Sequence, residues 1–280
     1  MADVKRESGK NIFLCNDFPG YGKVALQGMI PTLTAMKYQL FSLPTALVSN
    51  VLDFGKAEIL DTTEYMKGSV AVWRELGFSF DAMAIGFITG EKQGEFLAEL
   101  CKEERKKGCV IFFDPIMADN GKLYYGISPE AVESRRKLMG LSDYIVPNST
   151  EALLLARKNP EQSDFSLEEA KDLVKSLREA GAKSGCITSM KIDGQNCVFL
   201  YDEKKGEFCR IPYRMRDKHF VGTGDLFSAL LLGRFMQEND FFAAGMWAVE
   251  KIGAFIDAYE EDHLSEKGIP MERYLSLLNA

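Results

Sequence analysis

The chain has 280 residues, 46% of them apolar and 27% charged, which is enough to build one large α/β domain or two small ones. A net charge of −7 argues against a nucleic-acid-binding surface, and only two histidines argue against a histidine-based metal site. The six cysteines form no C-x-x-C pair and no signal peptide or membrane span is evident, so we expect reduced thiols and a cytoplasmic protein.

Apolar runs and helical spacing alternate along the chain after residues 1–10, a polar stretch that we interpret as a flexible N-terminal tail. Strands are predicted, in chain order, at 11–15, 40–47, 82–88, 109–113, 144–146, 184–188, 197–201 and 207–212. Helices are predicted at 24–36, 62–76, 91–107, 129–138, 149–157, 167–180, 225–237 and 241–258. Residues 49–55 are polar and irregular, and the last two strands are predicted to form a hairpin.

Strands that alternate with helices, several of them continuously apolar, indicate a mostly parallel sheet covered by helices on both faces. We therefore predict a single α/β domain over residues 11–280, a three-layer sandwich without internal repeats or a linker. The short basic clusters at 105–107 and 135–137 lie in helix-like segments that contain glutamate, and we interpret both as solvated helix faces.

The most informative stretch is Val-Gly-Thr-Gly-Asp-Leu-Phe-Ser at 221–228, which leads into an apolar helix. Backbone N–H groups at a helix start can converge on an anion, so Gly222, Thr223 and Gly224 are candidates for an anion hole. Asp225 is placed to take a proton from an attacking hydroxyl. The pattern is neither a Walker A loop nor a dinucleotide fingerprint. It predicts phosphoryl transfer to an alcohol; the alternative for Asp225 is a carboxylate favoured only by the helix dipole.

Polar residues also follow several predicted strands, and in open parallel sheets ligands bind at the carboxyl ends of the strands. Asp114 closes one strand, and Asn148 and Glu151 follow another on one face of a helix start. Their hard oxygen atoms suit Mg²⁺, whereas the alternative is that Asn148 caps the helix and Glu151 completes a capping box. Asp17 ends the first strand, where the alternative role is an Asx-type turn cap.

Further stretches support the same chemistry. They read N-D-F-P-G-Y-G-K at 16–23, S-N at 49–50, D-P-I-M-A-D-N-G-K-L-Y at 114–124, P-N-S-T-E-A at 147–152, I-T-S at 187–189 and G-T-G-D at 222–225. Together they resemble the ribokinase-like superfamily and, within it, the pyridoxal, pyridoxine and pyridoxamine kinases. The runs at 114–124 and 147–152 resemble that branch specifically, whereas G-T-G-D is shared across the superfamily.

The resemblance implies ATP-dependent phosphorylation of the 5′-hydroxymethyl group of vitamin B6, with Asp225 as the base and residues 222–224 as the anion hole. It implies that Asp114, Asn148 and Glu151 surround a Mg²⁺-phosphate site, with Asp114 and Glu151 on the metal side and Asn148 on the nucleotide side. ATP and Mg²⁺ are the implied cofactors, dependence on a monovalent cation such as K⁺ stays open, and a homodimer is expected from the resemblance alone.

Other residues take implied roles around the two substrates. Thr188 and Ser189 would touch the nucleotide, and Asp119 and Tyr124 would lie on a flap between nucleotide and alcohol. Asp17 would face the pyridine ring, where a carboxylate can accept a hydrogen bond from a protonated ring nitrogen or a ring hydroxyl.

The chain departs from the resemblance in its predicted substrate pocket. Ser49, Asn50 and Val51 stand where related kinases commonly read S-N-H, so the polar contact of an imidazole is missing. Pro19 stands where a small polar residue is usual. Phe87, at the end of a predicted strand, is either a ring-stacking residue or part of the core. An aromatic heterocycle is the expected substrate, and which heterocycle stays open.

Two alternatives remain. The first is a hydroxymethylpyrimidine kinase of thiamine synthesis, which has the same fold and chemistry with a different ring pocket; a sugar or nucleoside kinase fits the 114–124 run less well. The second, from another class, is a non-catalytic B6- or nucleotide-binding protein. The base beside an anion hole argues against a pure binder, which has no need of Asp225.

Overall fold

The computed structural model describes residues 10–124, 126–216, 220–263 and 267–279. The predicted tail, residues 1–10, lies outside the described residues except for Lys10, and its boundary with the domain stays a prediction. The described residues alternate strands and helices as the hydrophobic pattern indicated.

The described strands are, in chain order, β1 (Asn11–Pro19), β2 (Gln39–Val48), β3 (Ile59–Asp61), β4 (Ala82–Ile85), β5 (Val110–Phe113), β6 (Ala118–Asp119), β7 (Lys122–Leu123), β8 (Tyr144–Ile145), β9 (Ser184–Ile192), β10 (Gln195–Asp202) and β11 (Glu207–Pro212). Strands β6 and β7 form a separate hairpin, and the others form one sheet in the order β11-β10-β9-β8-β5-β4-β1-β2-β3. The strands from β9 to β2 are parallel, and β3, β10 and β11 are antiparallel additions at the edges. The predicted, mostly parallel sheet is confirmed.

Helices cover both faces of this sheet. They are α1 (Leu26–Ala35), α2 (Thr63–Glu75), α3 (Glu91–Lys106), α4 (Ala131–Leu141), α5 (Ser149–Leu155), α6 (Leu167–Glu179), α7 (Thr223–Glu238) and α8 (Phe241–Glu261). Side chains alternate along β1, so Phe13 and Cys15 join the core under α2 to α6, whereas Ile12 and Leu14 join the core under α1, α7 and α8. The three-layer α/β sandwich follows from these two cores.

Short polar sequences determine where several helices begin. Ser166 caps α6 and forms a capping box with Glu169, and the side chain of Asp240 accepts hydrogen bonds from the first backbone N–H groups of α8. Each cap satisfies donors that have no partner inside the helix.

Three features of the sheet differ from the sequence prediction. Strand β3 was not predicted, because all three of its residues are exposed and show no buried face. The β6–β7 hairpin was missed within the run at 114–124. The strand predicted at 184–188 continues to Ile192 and turns directly into β10, so this region contains a second hairpin.

The predicted strand at 82–88 is too long, and its end has a packing reason. Strand β4 stops at Ile85, and a Cβ atom on Gly86 would lie 2.5 Å from the side chain of Asn16. Real Cβ contacts do not come this close, so the chain uses glycine where the strand ends and its backbone meets the Asn16 amide.

The interpretation of 135–137 as a solvated helix face is wrong for Arg135. Its side chain is 1% exposed and its guanidinium donates hydrogen bonds to the carbonyl oxygens of Pro115 (3.0 Å), Ile88 (3.1 Å) and Ile116 (3.1 Å). A buried guanidinium is tolerated because these carbonyl groups satisfy its donors. Arg135 therefore fastens α4 to the segment that follows Asp114.

We expect Arg135→Met to lower the free energy of unfolding by about 3 kcal/mol, because several buried carbonyl oxygens would lose their donor. The matched control is Lys137→Met on the same helix, where the side chain is exposed and the expected change is below about 0.5 kcal/mol. Chemical denaturation of the two variants checks the difference. Equal losses would mean that the carbonyl contacts of Arg135 contribute nothing to stability.

All six cysteines carry free thiols, and five of them are buried, as expected for reduced cysteines that pack as small apolar residues. Among the described helices, none combines the length and the apolar character needed to cross a bilayer.

Candidate active site

The strand order reverses at the centre of the sheet. Strand β1 pairs in parallel with β2 on one side and β4 on the other, so a crevice is expected outside the carboxyl ends of β1 and β4. Asn16 and Asp17 lie in the last part of β1, and Gly86 and Phe87 directly follow β4. These strand ends therefore meet at the place where open α/β sheets bind ligands.

Helix α7 brings the Gly-Thr-Gly-Asp motif to the same crevice. Gly222 precedes the helix with a φ of 81°, and a Cβ atom there would lie 2.8 Å from the carbonyl oxygen of Lys23. Only glycine combines this left-handed backbone with so close an approach. The hydroxyl of Thr223 donates to the carbonyl oxygen of Phe220 at 3.1 Å. The first N–H groups of α7 have no acceptor inside the helix, so they can bind an anion.

Asp225 lies in the first turn of α7 and is held by two donors. Asn16 Nδ2 donates to its Oδ1 at 3.0 Å, and the backbone N–H of Ala25 also hydrogen bonds to the carboxylate. Burial raises the pKa of Asp225, and these two hydrogen bonds oppose the increase because they favour the charged form. A carboxylate with a raised pKa is the stronger proton acceptor that a general base needs.

Ala25, whose N–H group contacts Asp225, has a strained backbone conformation. Its φ is 48°, a left-handed value that is uncommon for a residue other than glycine, and it stands just before α1. The segment before it is confined on two sides, because Cβ atoms on Gly222 and Gly268 would approach the Lys23 carbonyl oxygen to 2.8 Å and 2.5 Å. Close packing of three distant segments therefore sets the position of the Ala25 N–H group.

Asp17 lies beside Asp225, and its carboxyl group has a raised pKa. Burial, and then the charge of Asp225, raises the pKa of Asp17 to about 7. An Asx-type cap alone would favour the charged form and lower the pKa, so its surroundings are those of a carboxyl group near a second carboxylate. Its role toward a pyridine ring stays a prediction.

The raised pKa of Asp17 predicts a pH dependence of stability. In the unfolded chain Asp17 titrates near 3.8, so between about pH 4 and pH 7 the folded protein binds the additional proton. The stabilisation is complete below pH 4 and is lost as the pH rises through about 7. We expect Asp17→Asn to remove it, so that wild type loses more than about 1 kcal/mol relative to the variant between pH 5 and pH 8. Denaturant titrations of the two proteins at several pH values measure this difference. An identical change of the unfolding free energy with pH in both proteins would refute the assignment.

Asp114 follows β5 and is connected to α7. Ser228, one turn beyond Asp225, donates its hydroxyl to Asp114 Oδ2 at 2.8 Å. Burial raises the pKa of Asp114 well above its usual value, and the charges of Glu151 and Asp225 raise it further. Asn16, Asp114, Asp225 and Ser228 line one small cavity, so the structure brings the predicted base and the predicted metal-side carboxylate together.

Glu151 is buried at the start of α5 and is bound by backbone N–H groups. Its Oε1 accepts from Met117 (2.9 Å) and Ala118 (3.3 Å), and its Oε2 accepts from Asn148 (2.9 Å). The capping box is therefore present. Burial still raises the pKa of Glu151 against these hydrogen bonds. Both polar atoms of the Asn148 side chain also have hydrogen-bond partners, because its Oδ1 accepts from the N–H of Glu151 and its Nδ2 donates to the Ala118 carbonyl.

The hairpin of β6 and β7, which we call the flap, follows Asp114. Asn120 and Gly121 both have positive φ and form its two-residue turn, and Asp119 Oδ1 accepts from the N–H of Asn120 at 2.8 Å. Burial raises the pKa of Tyr124, and after it the charges of Glu151, Asp119, Asp114 and Asp225 contribute. Asp119 lies in this flap and Tyr124 directly follows it. Their position between nucleotide and alcohol stays a prediction.

Thr188 and Ser189 lie opposite a single residue of β10, so they form a β-bulge in β9. The N–H of Thr188 donates to the Pro147 carbonyl at 2.9 Å, next to Asn148, and Ser189 has a φ of 54° and hydrogen bonds with Tyr213. Bulges beside active sites redirect side chains. Contact of either residue with the nucleotide stays a prediction.

The polar side chains among the predicted ring-binding residues make hydrogen bonds to the backbone of their own loop. Ser49 accepts the N–H of Glu58 at 2.9 Å, and Asn50 donates to the carbonyl oxygens of Val51 (3.0 Å) and Lys56 (2.9 Å). The side chain of Val51 is 3% exposed and packs against Gly22. Their contact with a substrate stays a prediction.

Phe87 belongs to a small apolar cluster with Ala46 and Val48, which favours its core role. Its backbone N–H donates to Asn16 Oδ1 at 2.8 Å, so the residue is connected to the site through its main chain.

Comparison with known proteins decides the family. The family model for phosphomethylpyrimidine kinase matches residues 28–268. The chain belongs to the phosphomethylpyrimidine kinase family. A Bacteroides thetaiotaomicron structure assigned to the phosphomethylpyrimidine kinases superimposes with a TM-score of 0.91 at 30% identity, covering 99% of this chain and 96% of that one. Another crystal form of it, with pyridoxal, gives 0.89 at 29% identity over 97% and 96%. Pyridoxal kinase of Arabidopsis thaliana is 35% identical over 43% of this chain and 38% of its own.

These similarities confirm that this member of the phosphomethylpyrimidine kinase family is an ATP-dependent kinase with the ribokinase-like fold, and they confirm its resemblance to the pyridoxal kinases. Sequence reasoning missed three residues around the base: Asn16, Ala25 and Ser228. Asn16 and Ser228 stood within the quoted motifs as polar side chains at a strand end and one turn after Asp225. Ala25 carried no signal, because its contribution is a backbone N–H group.

Proposed function

We propose that the protein transfers the γ-phosphoryl group of ATP to the 5′-hydroxymethyl group of a B6 vitamer. The observation that carries the proposal is the position of Asp225, a half-buried carboxylate in the first turn of α7 that is hydrogen bonded to the end of β1. Similarity to a protein crystallised with pyridoxal supports the choice of alcohol.

In the proposed reaction Asp225 accepts the proton of the hydroxyl group while its oxygen attacks the γ-phosphorus of ATP. A bond forms between that oxygen and phosphorus, the bond to the β-phosphate oxygen breaks, and ADP leaves. The amides of Gly222, Thr223 and Gly224 hold the transferring phosphoryl oxygens. Phosphoryl transfer requires mainly positioning and charge stabilisation, which a base beside a helix N-terminus provides.

Mg²⁺ is part of the proposal, and the donor set fits it. Burial raises the pKa of both Asp114 and Glu151, and the charge of Glu151 raises that of Asp114 further, which a bound divalent cation would relieve. The described residues contain no cluster of three or more metal-ligating side chains, and Mg²⁺ needs none, because it keeps several waters and binds substrate phosphates. When bound, Mg²⁺ would neutralise phosphate charge. Asp114 and Glu151 would hold it.

A hydroxymethylpyrimidine kinase is the second candidate, and the description of the matching family favours it. The test is ATP- and Mg²⁺-dependent phosphorylation of pyridoxal, pyridoxine, pyridoxamine, hydroxymethylpyrimidine and ribose, expressed as kcat/KM. Preference for a B6 vitamer supports the proposal, and preference for the pyrimidine replaces its substrate. Ligand binding without phosphorylation of any acceptor would indicate a non-catalytic binding protein.

We further propose a cytoplasmic homodimer. The free thiols support a reducing compartment. The cross-strand pair Leu47 and Leu60 supports association, because these residues at the β2–β3 edge are 45% and 60% exposed. Light scattering in solution determines the mass of the assembly. Activity in potassium-free and potassium-containing buffers tests whether a monovalent cation is required.

A further inference from the structure

We propose that Asn16 is a positioning residue for the catalytic base, acting on the reaction through Asp225. The inference rests on the proposed role of Asp225. Its basis is a buried side-chain amide, 2% exposed, whose Nδ2 lies 3.0 Å from Asp225 Oδ1 across 209 positions of sequence.

The orientation of the Asn16 amide is determined by its surroundings. Oδ1 accepts two backbone N–H groups, from Phe87 at 2.8 Å and from Asp17 at 3.0 Å. Rotating the amide by 180° would place its NH₂ group against those donors and its oxygen against Asp225. The NH₂ group therefore has to point at the carboxylate, and its second hydrogen is directed toward the sulfur of Met29 at 3.5 Å.

The space for this amide is provided by the segment that follows the neighbouring strand β4. A Cβ atom on residue 86 would lie 2.5 to 2.7 Å from the Cγ, Oδ1 and Nδ2 atoms of Asn16, so Gly86 leaves room for the planar group. The end of β1 and the segment after β4 thus hold the amide between them. A carboxylate on α7 is oriented by the central strands of the sheet rather than by its own helix.

The charges around Asp225 explain why such a donor is needed. Burial, and then the charge of Asp225, raises the pKa of Asp17, and the same charge adds to the effect of burial on Asp114 and Tyr124, so these neighbouring groups are all acidic. Within the described part of the chain, Asn16 and the N–H of Ala25 donate to the carboxylate. Asn16 therefore compensates part of the burial of Asp225 and holds one of its oxygen atoms in place.

Two functions of the amide can be separated by substitution. Its oxygen connects β1 to the segment after β4, which is a structural role, and its nitrogen contacts the base. Asn16→Asp has nearly the same shape and keeps the acceptor, but it replaces the donor with an acidic oxygen. Gln93→Glu is the matched control, because Gln93 is also a buried amide that accepts one backbone N–H (Thr89, 3.0 Å) and donates to a carbonyl (Thr45, 2.8 Å), away from Asp225.

The experiment measures kcat, the KM for ATP and thermal unfolding for wild type, Asn16→Asp, Gln93→Glu, Asp225→Asn and the Asn16→Asp/Asp225→Asn double variant. We expect Asn16→Asp to lower kcat about tenfold or more with the KM for ATP within about twofold, the scale on which misplaced catalytic groups act. Gln93→Glu lowers stability and leaves kcat within about twofold. In the Asp225→Asn background, Asn16→Asp changes kcat less than about twofold, because the group that it positions is absent.

Two results would overturn the inference while leaving the base assignment intact. One is an unchanged kcat for Asn16→Asp when Asp225→Asn is strongly impaired. The other is an equal loss of kcat from Asn16→Asp in both backgrounds. A wild-type kcat in Asp225→Asn would instead overturn the proposed mechanism itself. If Asn16→Asp does not fold, Asn16→Ser replaces it with the same expectations for kcat in both backgrounds, and with a loss of stability because the acceptor for the Phe87 and Asp17 N–H groups is removed as well.

Discussion

Asp225→Asn should lower kcat by about 10²-fold or more while the affinity for ATP changes by no more than a few-fold. Asparagine has the same shape and can still accept the hydrogen bond from Asn16, but it cannot take the proton of the alcohol. General acid–base groups contribute on this scale. The measurement is steady-state kinetics with the best acceptor, together with an independent titration of ATP binding.

The matched control is Asp240→Asn. Asp240 is also a carboxylate at a helix N-terminus, where it accepts the N–H groups of Phe242 (3.0 Å) and Ala243 (3.1 Å). Asparagine preserves that cap, so kcat should stay at the wild-type value. Nearly unchanged turnover in Asp225→Asn would show that Asp225 serves only the helix dipole, the alternative that the sequence leaves open.

Gly222→Ala should impair both stability and catalysis. Alanine at a φ of 81° costs about 1–2 kcal/mol, and its Cβ atom would lie 2.8 Å from both the Lys23 carbonyl oxygen and Val24 Cγ1. Relief of these contacts moves the start of α7, so we expect a loss of at least about 2 kcal/mol in unfolding free energy. We also expect a kcat lower by about tenfold or more.

Gly224→Ala is the control for the stability part of this experiment. Gly224 is helical, and apart from its chain neighbours and the backbone of its own helix no described atom lies within 4 Å of the position of a Cβ atom there. Alanine has a higher helix propensity, so the free energy of unfolding should stay constant or rise by up to about 1 kcal/mol. Equal destabilisation by the two substitutions would show that the close contact at Gly222 is unimportant.

Hydrophobic pattern predicted the sheet and its helices because most strands are continuously apolar and most helices present one apolar face. The two missed hairpins carried a readable signal of another kind. Asn120-Gly121 and Asp193-Gly194 are the two-residue turns, and all four residues have positive φ. Asn-Gly and Asp-Gly are the pairs that such turns favour, so turn chemistry would have predicted both hairpins.

The candidate site was predictable where its chemistry resides in side chains at strand and helix ends. Asp17 and Asp114 lie close enough to Asp225 for its charge to add to the effect of burial on their pKa, as the positions of the three residues at strand ends or at a helix start indicated. Burial of Arg135 was not predictable, because its neighbours in sequence are charged and its acceptors are backbone carbonyl groups on other segments. The strained N–H of Ala25 depends on packing and has no counterpart in the sequence pattern.

The packing at Lys23 has a consequence for synthesis of the protein. The Lys23 carbonyl oxygen is confined by Gly222 and Gly268, and the N–H of Lys23 donates to the Lys267 carbonyl at 2.8 Å. Gly268 and Lys267 are synthesised after every strand of the sheet and after α7 and α8, so they are the last of these contacts on Lys23 to leave the ribosome. Because domains fold as units during synthesis, a nascent chain would fix the position of the Ala25 N–H group, and with it the orientation of its base, only after this late segment has emerged.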